Sequence, residues 1–146
     1  MHCPLCATDG GQLVWRGARL RVIQASEAAF PAFYRVVWNA HVAEFTDLSS
    51  EERVHCLQAV AWVEQVLRER LAPSKINLAA LGNQVAHLHW HVIARFDWDS
   101  HFPDAVWAAP RRAQDTVRIA ALAQQQALVH DALRARLENW AVAQSK

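Results

Sequence analysis

Hydrophobic and polar residues alternate along several short stretches of the chain, and each such stretch predicts a β-strand. The segments QLVWRG and LRVIQ predict two strands that turn around Gly17, and YRVVWN predicts a third over residues 34–39. Further along, KINLAALG and VAHLHWHVIARF predict two long strands separated by a turn near Gly82 and Asn83. The pattern therefore predicts a meander of strands.

A helix is predicted between the third and fourth strands, over residues 47–71. Ser49 and Glu52 have the spacing of a capping box, and Pro73 is a stop signal after the last turn. Apolar residues recur at helical spacing and predict one buried stripe: Leu57, Val60, Val63, Leu67 and Leu71.

The last third of the chain changes character after the fifth strand. Residues 97–110 predict irregular structure anchored by Trp98, Phe102 and Trp107, and residues 111–143, rich in Ala, Gln, Leu and Arg, predict a helix. The pattern predicts an α+β fold: an antiparallel meander sheet, one central helix and a C-terminal helical extension. We expect residues 1–110 to form the main domain and residues 111–146 to pack on it.

Composition narrows the class of protein. The 146 residues are 53% hydrophobic and 20% charged, with a net charge of +1, so no broad surface for nucleic acid is expected. No apolar run approaches the roughly 20 residues of a membrane span, and the N-terminus does not resemble a signal peptide. Three cysteines give no disulfide framework, which favours a reducing cytoplasm.

The segment HLHWHVI, residues 87–93, places three imidazoles at a spacing of two. On a strand, His87, His89 and His91 share one face, while Leu88 and Trp90 belong to the opposite face. Three interpretations are open for such a row: incidental histidines, a metal site built from all three, or a histidine nucleophile with helpers for phosphate and protons.

The wider context of this segment resembles the histidine triad (HIT) family of nucleotide hydrolases and transferases. The family pattern His-φ-His-φ-His-φ-φ fits HLHWHVI, and RVVWNAH with EFTDLSSEER resembles its hydrophobic strand, loop histidine and central helix. The resemblance covers roughly residues 3–107. Within the family, the sequence is similar to a bacterial branch that is diadenosine polyphosphate hydrolase-like. One departure is PAFYRVVW, where Phe33 and Tyr34 lie in a neighbourhood that holds a phosphate-side histidine in many members.

The resemblance implies roles for individual residues. His89 is expected to be the nucleophile, and His91 is expected to contact the scissile phosphate and protonate the leaving group. Asn77, Asn83 and Gln84 occupy positions where the family binds phosphate or sugar, with Asn83 and Gln84 in the glycine turn.

The implied reaction is cleavage at the α-phosphate of dinucleoside polyphosphates or nucleoside phosphoramidates through a nucleotidyl-histidine intermediate. The implied assembly is a homodimer. An alternative is a zinc-containing nucleotide-binding or sensor module without turnover, and a weaker alternative is a metal-dependent hydrolase that uses all three histidines.

The segment CPLC at residues 3–6 is a weak signal by itself, because a lone C-x-x-C occurs in redox sites, metal sites and by chance. By the same resemblance, a structural zinc is expected on Cys3, Cys6, His41 and His87, a Cys₂His₂ set that zinc prefers. This zinc is not needed for the chemistry. The alternative is a pair of unoccupied thiols.

Most of the other chemically notable residues are expected to have structural rather than catalytic roles. Cys56 is expected to be buried in the central helix, and His55 and His130 are expected to be solvated. Trp62 lies on the polar side of its helix and needs cover from a partner chain or the C-terminal helix. Arg95 either approaches the phosphates or pairs with an acid.

Overall fold

The computed structural model describes residues 2–146 and contains one five-stranded sheet with helices on one side and at the termini. A short N-terminal helix precedes three strands, a long helix precedes two more, and two helices end the chain. The elements are α1 (Pro4–Ala7), β1 (Gln12–Arg16), β2 (Leu20–Gln24), β3 (Phe33–Trp38), a 3-10 turn (Phe45–Asp47), α2 (Ser50–Leu71), β4 (Lys75–Ala79), β5 (His89–Arg95), α3 (Thr116–Gln124) and α4 (Gln126–Gln144).

The sheet has the order β1-β2-β3-β5-β4, and every neighbouring pair is antiparallel. The last strand in sequence thus lies between β3 and β4, with Arg35 opposite His91 and Ala79 on its other side. This confirms the predicted α+β fold with an antiparallel sheet. It also places β5, which carries two of the three histidines, in the interior of the sheet.

The central helix α2 covers one face of the sheet and forms the main core with it. Its N-terminus has the predicted capping box, in which the Ser49 hydroxyl accepts from the Glu52 amide and the Glu52 carboxylate accepts from the Ser49 amide. Val60, Val63 and Leu67 are buried as expected, whereas Leu57 is 43% exposed. The buried stripe instead begins at Cys56, one position earlier.

The predicted fifth strand, which began at Val85, is shorter in the structure because β5 starts at His89. Before it, the backbone bonds to the end of β3 and the following loop, with Leu88 donating to Val42 at 2.8 Å and Trp38 donating to Leu88 at 3.1 Å. Because this local pairing replaces the regular hydrogen bonds between strands, His87 lies just outside β5.

The C-terminal region forms two helices where the sequence predicted one over residues 111–143. Asp115 caps α3 by accepting from the Arg118 amide. The helix is interrupted at Gln125, and α4 begins at the next residue. Leu133 and Leu137 are fully buried where α4 packs against α2 and β1. The guanidinium of Arg136 lies 5.5 Å from the Trp62 ring, so the C-terminal helix supplies the expected cover.

His130 contradicts the expectation of a solvated helix residue. It is 3% exposed, and its Nε2 lies 3.1 Å from the hydroxyl of Tyr34 under α4. The prediction was wrong because the sequence does not indicate which face of α4 turns inward. His55 is partly covered as well, and its Nδ1 lies 2.8 Å from Gln144.

Within residues 2–146, no helix combines the length and the apolar character that crossing a membrane requires.

Candidate functional site

The two histidines of β5 open onto a cavity of about 560 Å³ on the sheet face opposite α2. That size is within the usual range for small-molecule sites. Its walls come from four places: the N-terminal segment, the loop before β3, the turn after β4, and the loop after β5. The lining residues are Pro4, Leu5, Gly10, Glu27, Arg35, Leu81, Gly82, Asn83, Gln84, Val85, His89, His91 and Trp107.

The tautomer of His89 follows from its hydrogen bond. Its Nδ1 lies 2.6 Å from the backbone carbonyl oxygen of His87, and because a carbonyl can only accept, this nitrogen carries the hydrogen. The lone pair is therefore on Nε2. Burial lowers the pKa of His89 below 6.5, although the bond to the carbonyl opposes this shift. A neutral imidazole with a free Nε2 lone pair can act as a nucleophile or base.

His91 has the opposite tautomer. The Nε–H of Arg35 donates to its Nδ1 at 3.3 Å, so Nδ1 is the acceptor and Nε2 carries the hydrogen. Burial, with smaller effects from His89 and Arg35, lowers the pKa of His91 to about 4. The side chain is neutral near pH 7 and presents a hydrogen-bond donor at Nε2. The rings of His89 and His91 are 5.0 Å apart between centroids.

The turn after β4 forms another wall of the cavity. Gly82 has φ +77°, a conformation that favours glycine, and the exposed polar side chains of Asn83 and Gln84 follow it. Asn77, also expected in the site, lies on the same sheet face as His91 but is paired with Ile93, two residues further along β5. Its Oδ1 accepts from Arg95 at 2.9 Å, and it does not contribute to the cavity lining.

Arg95 pairs with an acid, one of its two expected outcomes. Its guanidinium and the carboxylate of Asp99 are both buried and lie 2.8 Å apart at closest approach. The carboxylate also accepts from the amides of His101 and Phe102, which fixes the loop after β5.

Cys3, Cys6, His41 and His87 lie close enough together to bind a metal ion, with ligand atoms all within 4.8 Å of one another. The Nδ1 of His87 is 3.4 Å from the Cys3 sulfur, 3.5 Å from the Cys6 sulfur and 3.2 Å from Nδ1 of His41. The Cys6 sulfur is 3.4 Å from the same nitrogen of His41.

These separations fit one zinc ion. A tetrahedron with the usual zinc–sulfur and zinc–nitrogen bond lengths has sulfur–nitrogen edges of about 3.5 Å and a nitrogen–nitrogen edge of about 3.3 Å. His87 is also oriented for metal binding, because its Nε2 donates to the carbonyl oxygen of Trp38 at 2.6 Å and leaves the Nδ1 lone pair facing the cysteines.

The N-terminal segment is held against the sheet by a buried arginine. Arg21 on β2 donates to the carbonyl oxygens of Leu5 at 2.6 Å, Asp9 at 3.1 Å and Thr8 at 3.3 Å. The same segment contributes Pro4 and Leu5 to the cavity. The metal-ligand cluster and the histidine cavity therefore share one wall.

The sequence did not identify every residue of the cavity. Arg35 and Glu27 are its charged lining residues within the described chain, and neither was singled out. Trp107 was expected to be an aromatic anchor, but its ring is 52% exposed and lies 5.0 Å from the His91 ring. The position of Arg35 could have been found from alternation, since it shares a strand face with Phe33 and Val37.

Comparison with known proteins agrees with this geometry. A family model described as HIT domain matches residues 11–98, which is more than half of the chain. No curated protein matches the sequence significantly. The chain belongs to the HIT family, and that membership supports a nucleotide-binding or nucleotide-processing protein.

Solved structures of similar fold include histidine triad proteins from three bacteria. The protein from Bradyrhizobium japonicum is 26% identical, with a TM-score of 0.70 over 93% of this chain and 96% of its own. The protein from Marinobacter aquaeolei is 25% identical, with a TM-score of 0.71 over 92% and 93%. A zinc-bound family protein from Mycobacterium smegmatis is 20% identical, with a TM-score of 0.64 over 95% and 97%.

Proposed function

We propose that this protein hydrolyses dinucleoside polyphosphates or nucleoside phosphoramidates at the α-phosphate, with His89 as the nucleophile. The observation that carries this proposal is the 2.6 Å contact between His89 Nδ1 and the His87 carbonyl. It leaves the Nε2 lone pair on a neutral, half-buried imidazole at a cavity of nucleotide-compatible size.

The reaction has two steps. His89 Nε2 attacks the α-phosphorus, a phosphorus–nitrogen bond forms, and the bond from phosphorus to the leaving group breaks with its electron pair. Water then attacks the same phosphorus, the phosphorus–nitrogen bond breaks, and the nucleoside monophosphate leaves with the oxygen of the water. The proton released from water goes to solvent and the imidazole is regenerated, while an amine leaving group takes its proton from solvent in the first step.

Neighbouring groups support the same reaction. The Nε2–H of His91 and the amides of Asn83 and Gln84 are donors suited to non-bridging phosphate oxygens. The exposed indole of Trp107 offers a flat apolar face for a base or a sugar. Asn77 lies outside the cavity lining and its Oδ1 accepts from Arg95, so its proposed contact with substrate, through the amide hydrogens, requires a ligand that extends beyond the cavity.

The proposal includes a structural zinc on Cys3, Cys6, His41 and His87, supported by the tetrahedral separations. When bound, the ion would crosslink the N-terminus, the loop after β3 and the segment that leads into β5, and it would take no part in the phosphate chemistry. Zinc in the Mycobacterium smegmatis protein indicates that this fold is compatible with the ion. Reduced thiols are needed to hold it, which supports a cytoplasmic location.

The proposal also includes a homodimer. Strand β4 is an edge of the sheet, and exposed apolar side chains lie on it, on the turn that follows and on α2. They are Val54, Leu57, Leu78 and Leu81, exposed by 57%, 43%, 45% and 55%. Pairing of two such edges would cover both the apolar side chains and the unpaired strand. Light scattering on the purified protein should give twice the mass of the chain, and Leu78→Asp should give the monomer mass.

The test of function is steady-state hydrolysis by the purified protein of a diadenosine polyphosphate and of an adenosine phosphoramidate. We expect release of adenosine monophosphate from at least one of them. Binding of nucleotide with no turnover of either substrate would support the non-catalytic nucleotide-binding module instead.

A further inference from the structure

Arg35 occupies an unusual position beside the histidines. It lies directly across from His91 on the neighbouring strand, and its guanidinium is half-buried in the wall of the cavity. The side chain packs 5.2 Å from the Phe33 ring, which limits its freedom. Through Nε it donates to His91.

The two terminal nitrogens of Arg35 have no acceptor within residues 2–146. Its one hydrogen bond there uses Nε, and no carboxylate lies within the 4.0 Å of an ion pair. Glu27 also lines the cavity and attracts Arg35, but at longer range. A permanently charged guanidinium that has free donors and no ion-pair partner in a cavity is suited to an anionic oxygen group.

The contact with His91 also restricts proton transfer. Because Nδ1 of His91 accepts from Arg35, a second proton could enter this ring only by breaking that bond beside a positive charge. His91 was expected to protonate the leaving group, but in this arrangement its neutral ring donates a hydrogen bond from Nε2 and is a poor acid toward a basic leaving group. The contact between Arg35 and His91 thus favours substrates whose leaving groups depart as stable anions.

Together these contacts give the site a preference within the proposed reaction. We propose that Arg35 is a specificity-determining residue that binds the phosphate of the leaving group, so that the site selects substrates in which a further phosphate follows the scissile one. This inference rests on the proposed function. In the first step the phosphoanhydride oxygen leaves with the bonding electron pair, and its charge spreads over a nucleoside polyphosphate beside the guanidinium.

The arrangement around His91 separates this role from binding of the scissile phosphate. The proposed scissile phosphate contacts Nε2 of His89 and Nε2 of His91, whereas Arg35 lies on the Nδ1 side of the His91 ring. The His91 ring therefore lies between the guanidinium and the proposed position of the reacting phosphorus. A charged group at that distance suits the next phosphate in the chain.

The experiment compares two substrates that differ in the leaving group. One is diadenosine tetraphosphate, and the other is adenosine 5′-(p-nitrophenyl phosphate), whose leaving group needs no proton and carries no phosphate. For Arg35→Gln we expect kcat/KM to fall about 100-fold with the tetraphosphate and to stay within about fivefold with the p-nitrophenyl ester. Arg35→Lys, which keeps the charge, should recover at least about tenfold of the loss with the tetraphosphate.

The controls separate charge, folding and function. Arg19→Gln removes an arginine whose exposed ion pair with Glu51 lies outside the cavity, and it should leave both substrates unaffected. Glu27→Gln removes the opposing carboxylate and should lower KM for the tetraphosphate. Equal losses on both substrates, or equal behaviour of the Gln and Lys variants, would overturn the assignment of Arg35. Failure of the wild-type protein on both substrates would instead overturn the proposed function.

Discussion

His89 Nδ1 lies 2.6 Å from the backbone carbonyl oxygen of His87, so the residue that faces the cysteines also orients the imidazole that faces the cavity. The side chain of His87 points the other way, with Nε2 on the Trp38 carbonyl and Nδ1 toward Cys3. Three histidines with the same spacing therefore have three different partners. The row in the sequence does not form a single three-histidine metal site.

The first prediction concerns the zinc cluster. Cys3→Ser or Cys6→Ser should abolish binding of one zinc per chain and lower the melting temperature by several degrees, because the crosslink between the N-terminus and the segment that leads into β5 is lost. Elemental analysis and thermal unfolding of protein purified without chelators measure both effects. Cys56→Ala is the matched control, since Cys56 is buried on α2 and is not a member of the metal-ligand cluster, so the zinc content should be unchanged.

Chelation supplies the second prediction. Since no ligand of the proposed zinc is a proposed reacting group, EDTA should reduce stability first and should leave turnover largely intact while the protein remains folded. Activity and circular dichroism followed on the same sample distinguish the two effects. A folded protein that loses activity at once, and regains it with zinc, would favour the metal-dependent hydrolase.

The third prediction is a dependence of stability on pH through His91. Its pKa is about 4 in the folded protein against an ordinary value of 6.5, so the unfolded chain binds more protons between these values. The stabilisation is complete above pH 6.5 and is lost as the pH falls toward 4. We expect His91 to account for a loss of about 2 kcal/mol between pH 7 and pH 4.5.

Urea unfolding of the wild type and of His91→Gln at both pH values measures this contribution. The difference between the two proteins cancels the effects of the remaining histidines and of zinc release. An identical pH dependence in both proteins would contradict the lowered pKa of His91.

The fourth prediction tests whether the C-terminal helices pack on the main domain as one unit, as expected for residues 111–146. Leu137 is fully buried and Leu128 is 68% exposed on the same helix α4. Leu137→Ala should lower the free energy of unfolding by about 2–5 kcal/mol in a single transition, and Leu128→Ala by less than about 0.5 kcal/mol. Two separate unfolding transitions would show that the extension folds independently.

The sequence predicted the strands and the capped helix because each depends on local spacing, whereas the metal-ligand set, whose members lie between residues 3 and 87, was implied by the family resemblance. Alternation placed His89 and His91 on one face, and the capping box located the start of α2 within one residue. The exposed fraction of Leu57 was mispredicted because a helical stripe can shift by one residue without changing its periodicity.

Features that depend on contacts distant in the sequence could not be predicted. The burial of His130 depends on how α4 packs on the sheet, because its partner Tyr34 is 96 residues away in the sequence. The partner of Arg35 depends on the order of strands, since β5 pairs with β3 across 56 residues. The break at Gln125 lies in a stretch of good helix formers, where propensity gives no signal for a boundary.

Attack of His89 on the α-phosphorus is tested most directly by a single-turnover experiment. Excess protein is mixed with α-³²P-labelled diadenosine tetraphosphate, quenched in base to preserve a phosphorus–nitrogen bond, and examined for label and added mass on the peptide that contains His89. We expect one adenylyl group per chain at early times in the wild type and none in His89→Ala, which should still bind the substrate within about tenfold of the wild-type affinity. Hydrolysis by the His89→Ala protein within about tenfold of the wild-type rate, with no label on the wild-type chain, would contradict the claim.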